Sequence, residues 1–281
     1  MDVNKMNSLI LVPTDFSEVC TNAANKAAEA AGFLKFKVVL LHVINKETKS
    51  YLKSENLALE AIDEKLKALA DDLKKNHNVE VEYLTKEGSI FDVIPEVAKD
   101  LGANLMYLGT HGKVGMQHLT GSFAIKVVTS SPCPVIVVQK RPFDKGYKNV
   151  VLPITSEAGP WEKTKWAVYM AKQFGSTIQM LLPNNPAPEV KSAAERIAGY
   201  FDKNDVTHFL SIAAKGGNFS KQIIDFATAG NADLIMIMTN PDKGFSNFIM
   251  GSYDEDMLFN VSQIPVMCIN PRKFNYEILG L

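Results

Sequence analysis

The residues best placed to do chemistry are the glycines of GTHGKVGMQHLTGS, Gly109 to Ser122. Glycines let main-chain N–H groups approach an anion without obstruction by a Cβ. The first turn of a following helix adds four unpaired N–H groups and a partial positive charge. An apolar run, Ala103 to Leu108, precedes the stretch and a helix-like run, Phe123 to Ser130, follows it. The loop therefore joins a strand to a helix, where backbone can hold phosphate. The competing reading is that glycines simply end a strand and open a tight turn. Ser122, next to Gly121, has the geometry either to cap the helix or to meet a phosphate oxygen, and His111 either lines the pocket or packs the loop. Lys113 and Lys126 either add charge near phosphate or stand in solvent as helix-surface lysines.

An acid is offered by Pro13-Thr14-Asp15, which closes the first apolar run. Asp15 can accept hydrogen bonds from ribose or adenine, or it can serve with Ser17 as a candidate N-cap for a helix starting near Glu18. His42 ends the second apolar run, beside Val43, and His111 and His118 flank the glycines. Those histidines come from separate elements without ligand spacing, so no metal site is expected. Other nucleotide and hydrolase signatures are missing: no GxGxxG follows the first strand, and neither GxxxxGK[ST] nor GxSxG occurs. No general base stands beside a nucleophile, so turnover, at most a very slow ATPase, is a minor reading.

The elements that must position these residues occur twice. LILVPT (Leu9 to Thr14) is echoed by NVVLPI (Asn149 to Ile154), and SPCPVIVV (Ser131 to Val138) by QIPVMCI (Gln263 to Ile269). Each copy reads as five short apolar strands alternating with helices, the pattern of a parallel sheet covered on both faces. The first-copy strands are expected at Ser8 to Val12, Lys37 to Val43, Val79 to Thr85, Ala103 to Leu108 and Val135 to Val138. Those of the second are expected at Asn149 to Pro153, Thr177 to Leu182, Val206 to Ile212, Leu234 to Met238 and Val266 to Ile269. Right-handed crossovers make each copy a doubly wound domain, with the ligand crevice beyond the strand ends where the order reverses, between strands one and four. The domains are expected at 1–144 and 145–281, joined through the charged Gln139 to Lys148. The second copy is about ten residues shorter, a deletion assigned here to its second helix, Val190 to Asp202 against Glu55 to Lys75.

With 281 residues and 46% hydrophobic content, the chain has ample core for two domains. Thirty basic residues against 31 acidic give a net charge of -1, which argues against gripping nucleic acid by phosphate neutralisation. Three cysteines without CxxC spacing suit a reducing compartment, and no run resembles a signal peptide or a membrane span. The expected location is the cytoplasm.

The glycine loop, its flanks and its weakened second copy resemble the universal stress protein family. That family's motif is Gly, two residues, Gly, nine residues, then Gly with Ser or Thr; Gly109, Gly112, Gly121 and Ser122 match it, with eight residues in place of nine. The resemblance implies α/β domains with strand order 3-2-1-4-5 and a site for ATP or AMP, with Mg where the nucleotide carries it. It implies Pro13, Thr14 and Asp15 at the ribose and adenine, Val43 and Leu108 sandwiching the base, and Gly109, His111, Gly112, Gly121, Ser122 and Phe123 around phosphate. It also implies pairing between the last strands, Val135–Val138 and Val266–Ile269, and allows a homodimer and a protein partner. In the second copy Thr155, Pro183, Met238 and Pro241 replace Asp15, Val43, Gly109 and Gly112, leaving Gly251-Ser252, so that copy is expected to have lost the ligand. A nucleotide-free interaction or scaffold module is the alternative. Trp161 and Trp166 are expected to pack in the core or between domains.

Overall fold

The structure is a computed structural model that describes residues 8–110, 121–142, 146–155, 160–239 and 253–270. The chain divides into two compact units, Met1–Lys140 and Arg141–Leu281. The first runs β1 (Leu9–Pro13), α1 (Glu18–Leu34), β2 (Lys37–Ile44), α2 (Lys46–Ser54), α3 (Glu60–His77), β3 (Val81–Glu87), α4 (Ile90–Asp100), β4 (Leu105–Gly109), α5 (Gly121–Ser130) and β5 (Val135–Val138). Its strands lie in the order β3-β2-β1-β4-β5, and the described pairings are parallel. The order reverses between β1 and β4, and β1 therefore carries its carboxyl end to the crevice of a doubly wound sheet.

β1, β4 and β5 are buried along their whole length, as continuous apolar runs sandwiched between helices should be. α1 lies against β1, β2 and β4. Its buried side carries Ala23, Ala24, Ala27, Ala28, Ala30 and Ala31, small residues that let the helix axis come close to the sheet. The helix starts at Ser17, whose Oγ accepts from the Cys20 N–H at 3.4 Å. It stops at Lys35, left-handed at φ 56°, whose N–H returns to the Ala31 carbonyl.

The second unit contains β6 (Asn149–Pro153), α6 (Pro160–Phe174), β7 (Thr177–Leu182), α7 (Pro188–Lys203), β8 (His208–Ile212), α8 (Phe219–Ala229), β9 (Leu234–Met238), α9 (Tyr253–Leu258) and β10 (Val266–Ile269). Its order, β10-β9-β6-β7-β8, is again 3-2-1-4-5 within the unit, with parallel pairing throughout its described ladders. Trp166 is core, 3% exposed, but Trp161 stands 46% exposed against the edge of Tyr200, so only one indole packs as expected.

One expectation needs correction. The ten-residue deficit does not lie in a shortened second helix: α3 has 18 residues and α7 has 16. What is missing is a counterpart of α2, a nine-residue helix that the sequence reading did not predict, its helix starting only at Glu55. In the second unit β7 passes through Pro183 to Ala187 directly into α7. In the first unit a left-handed Asn56, at φ 53°, ends the path of α2 before α3 begins.

Candidate functional site

The loop after β1 is held from both ends. The Thr14 N–H donates to the Leu41 carbonyl at 2.8 Å, Thr14 Oγ1 accepts from the Phe16 N–H at 3.0 Å, and Asp15 Oδ1 accepts from the Ser17 N–H at 2.9 Å. These bonds impose a left-handed conformation on Phe16, φ 65°, which an aromatic residue rarely adopts. In return the Phe16 ring stacks on His42, centroids 4.9 Å apart and planes inclined by 23°. Ser17 is thus the helix cap, and Asp15 is left exposed at the mouth of the crevice. Partial desolvation raises the Asp15 pKa, but hydrogen bonds from the Ser17 hydroxyl and N–H more than reverse this, and the carboxyl lies below its ordinary value. It is a fixed anion at neutral pH.

His42 fastens this loop to β2 and α2. The Thr14 carbonyl can only accept, so Nδ1–H donates to it at 2.8 Å, and Nε2 lies 3.0 Å from Thr48 Oγ1. With the proton on Nδ1, the neutral ring accepts the Thr48 hydroxyl at Nε2. Burial pushes the His42 pKa below that of a free imidazole; the Thr14 carbonyl and Asp15 oppose the shift without reversing it, and Lys65 adds to it. A histidine kept neutral in the fold takes up its proton more readily unfolded, so stability falls as pH drops from the free value of 6.5 toward the lowered one. We expect the urea midpoint to decline between about pH 7 and about pH 5 and His42→Asn to flatten the decline. A weaker slope of the same sign should remain from His77, whose pKa burial also lowers. An unchanged slope in the variant would disprove the assignment.

The other sequence-picked residues divide by what they touch. Pro13 is buried within β1. Val43 is 5% exposed near the end of β2, and its carbonyl oxygen lies 3.3 Å from Thr48 Oγ1. Leu108 is fully buried within β4. Gly109 serves helix packing: a Cβ there would stand 2.6 Å from the Val19 carbonyl oxygen and 2.8 Å from the Cys20 nitrogen. Gly121 opens α5, with Phe123 in its first turn, half-buried and stacked on Phe91 at 5.2 Å and 13°. His111, Gly112 and the side chain of Ser122 lie outside the described residues, as do Lys113 and His118. The carboxyl end of β4 supplies one more group: Thr110 Oγ1 is fully buried and has no hydrogen-bond partner among the described residues.

The sequence reading missed the wall that α2 and α3 build beside Asp15. Lys65 Nζ donates to the Tyr51 hydroxyl at 2.6 Å, sits 4.4 Å from that ring and 5.7 Å from the Phe16 ring. The Lys65 ammonium thus lies over two rings, one of them in the loop that carries Asp15. Between α5 and α4, Lys126 Nζ lies 4.2 Å from the Phe91 ring. No spacing rule links Phe16, Tyr51 and Lys65, which come from three elements. Among the described residues no cluster of His, Cys, Asp or Glu could hold a metal ion. Cys20, one turn beyond Ser17, is no nucleophile: burial, with Asp15 beside it, pushes its thiol up to about 12.

The second unit presents a different end. Lys163 of α6 takes the place of Ala23, is 5% exposed, and donates to the Pro153 carbonyl at the carboxyl end of β6. Met238 stands where β4 has Gly109, so α6 cannot approach β9 as α1 approaches β4.

Comparison with known proteins decides the lineage. The sequence matches the universal stress protein family over residues 6–139. It is 34% identical over 139 residues to universal stress protein MJ0531 of Methanocaldococcus jannaschii, covering 81% of that protein and 47% of this chain. The chain belongs to the universal stress protein family. A second universal stress protein of the same organism, MJ0577, is 30% identical over 158 residues, 97% of its length and 48% of this chain. The crystal structure of a universal stress protein from Archaeoglobus fulgidus matches in fold across both units, with a TM-score of 0.77 over 95% of this chain and 99% of that one at 17% identity. The sequence matches to the two M. jannaschii universal stress proteins thus span about half of the chain, while the fold match spans nearly all of it.

Proposed function

We propose that the first unit binds an adenine nucleotide, ATP or AMP, with Mg where ATP carries it, and that the chain works as a nucleotide-responsive regulatory or stress-survival factor. The observation that carries this reading is the convergence at the β1–β4 switch point. There the exposed Asp15 carboxylate, the end of β2 at Val43 and the amino end of α5 at Gly121 belong to strands and helices that meet at one crevice. The buried Thr110 hydroxyl at the start of the glycine loop, without a partner among the described residues, fits a polar ligand, since buried hydroxyls are seldom left unpaired. Asp15 would accept from ribose or adenine donors, and the N–H groups at Gly121 and Ser122 would meet phosphate. The expected domains are a nucleotide-binding first copy and a second copy that keeps the fold without the ligand; Lys163 at the end of β6 supports that division.

The cytoplasm is the proposed location, supported by three free, buried cysteines. No helix among the described residues is long and apolar enough to cross a membrane. For the last strands we propose pairing within the chain. Support comes from β5 and β10 each being the outermost strand of its own unit, with a neighbour from that unit on one side only. Cysteine pairs across those strands that failed to cross-link would count against it. A protein partner that reads the nucleotide state completes the proposal.

The test is calorimetric titration of nucleotide-free protein with ATP and magnesium, then with AMP, then of Gly121→Val with both. Saturable binding near one site per chain, abolished by a β-branched residue at the first helical position, is the expected result. Absence of heat and of thermal stabilisation in the parent protein would overturn the reading in favour of a nucleotide-free interaction module.

A further inference from the structure

The outermost strands β3 and β8 occupy equivalent places in their units but are finished differently. β3 is blunted by charge: Glu82 pairs with Lys37 at 2.8 Å, Lys86 with Glu96 at 3.2 Å, and Glu87 with Lys49. α3 packs along it. Such charges and covers are how sheets keep their edges from pairing. β8, with the sequence HFLSI, carries no Asp, Glu, Lys or Arg, and neither do Val206, Thr207, Ala213 and Ala214 around it. Phe209, Leu210 and Ile212 are 57%, 51% and 59% exposed. α7 packs on β7 and α6. At the start of β8 His208 meets the Phe201 ring at 5.4 Å and Asp202 at 3.9 Å.

The free edge has a definite hydrogen-bonding pattern. The Thr207 carbonyl accepts from the Ile178 N–H, and the Ala213 N–H donates to the Leu182 carbonyl, so both point toward β7. Main-chain groups alternate in direction along a strand. The N–H and C=O groups of His208, Leu210 and Ile212 therefore all point outward. An antiparallel copy of the same strand, centred on Leu210, places Leu210 opposite itself and His208 opposite Ile212. Every outward N–H of the strand then meets an outward C=O of the copy. The same register aligns Leu210 and Ile212 with Leu210 and His208 of the other copy on one face and sets Phe209 beside Ser211 on the other, with no like charges opposed.

We propose that β8 is a homodimerisation edge, joining two copies of this chain about a two-fold axis through Leu210. The loss of charge and of helical cover is confined to the second copy, so the duplication has left one edge protected and turned the other to self-association. This inference stands apart from the nucleotide reading.

The experiment is sedimentation velocity on the full chain over a concentration series from micromolar to millimolar, repeated with Leu210→Lys. The expected result is a concentration-dependent shift to twice the chain mass, lost when two lysines face one another across the axis. Because Leu210 is exposed, the variant should keep its far-UV circular dichroism and melting temperature. A second readout does not rely on that variant: Leu210→Cys should cross-link with a short bis-maleimide, while Val261→Cys, exposed elsewhere, should not. The native cysteines, all buried, should not compete. A monomer at all concentrations, including one in which the thiol introduced by Leu210→Cys is shielded by another segment of its own chain, overturns the proposal. So does a dimer indifferent to Leu210→Lys.

Discussion

Gly109→Ala is expected to destabilise the first unit by about 3 kcal/mol, the upper end for an overpacked core. The added methyl would meet the Val19 carbonyl oxygen at 2.6 Å, its carbon at 2.7 Å and the Cys20 nitrogen at 2.8 Å. All three are main-chain atoms in the first turn of α1 and cannot rotate away, so the helix must lift from β4. Lifting it also strains the Ser17 cap and the Asp15 loop that precede it, and nucleotide affinity should fall with stability. Urea denaturation of the full chain measures the effect, the transition of the first unit moving to lower denaturant. Gly199→Ala is the internal control: it lies within α7 with open space around its missing Cβ and should instead stabilise by up to about 1 kcal/mol through helix propensity. Equal and small effects at both positions would refute the packing role given to Gly109.

Asp15→Asn is expected to weaken nucleotide binding by about 10- to 100-fold while leaving the fold intact. The estimate follows from the loss of a charged hydrogen bond, roughly 1.5–3 kcal/mol, at about 1.4 kcal/mol per factor of ten. Asparagine keeps an oxygen for the Ser17 N–H, so the turn survives and the missing charge is isolated as the cause. Alanine would remove both and confound them. Titration of the variant with ATP and with AMP, alongside urea midpoints near neutral pH, separates ligand from scaffold. Unchanged affinity would remove Asp15 from the site and leave it as a loop-holding residue alone.

Much of this architecture was readable because parallel strands buried on both faces appear as unbroken apolar runs, and LILVP, LMYLG and VIVV stand out as such. The repeat then supplied the second unit. α2 was not readable: KETKSYLKS buries only Thr48 and Leu52, too few positions to declare a helical face. The glycine at 109 was visible but its task was not, since a glycine needed for a close helix and one needed for an anion look alike until the opposing element is known. β4 shows the converse limit, because a strand covered on both faces carries no alternation to tell one face's residues from the other's. The wall of Phe16, Tyr51 and Lys65 is assembled from distant segments and had no linear signal.

The absence of α2 from the second copy goes with a ladder two pairs shorter at that end but in unbroken register: Ile178 to Leu182 pair with His208 to Ile212 residue for residue, as Val38 to Ile44 pair with Val81 to Glu87. A whole helix above the strand ends is therefore an accessory that inheritance can discard without renegotiating the register of the sheet beneath it. Duplication gave this lineage a spare chassis, and drift could strip its fittings while the sister copy kept the latch of His42 and Thr48. Swapping Asn45 to Leu59 into the second copy would be a transplant of furniture, with the frame already built to receive it.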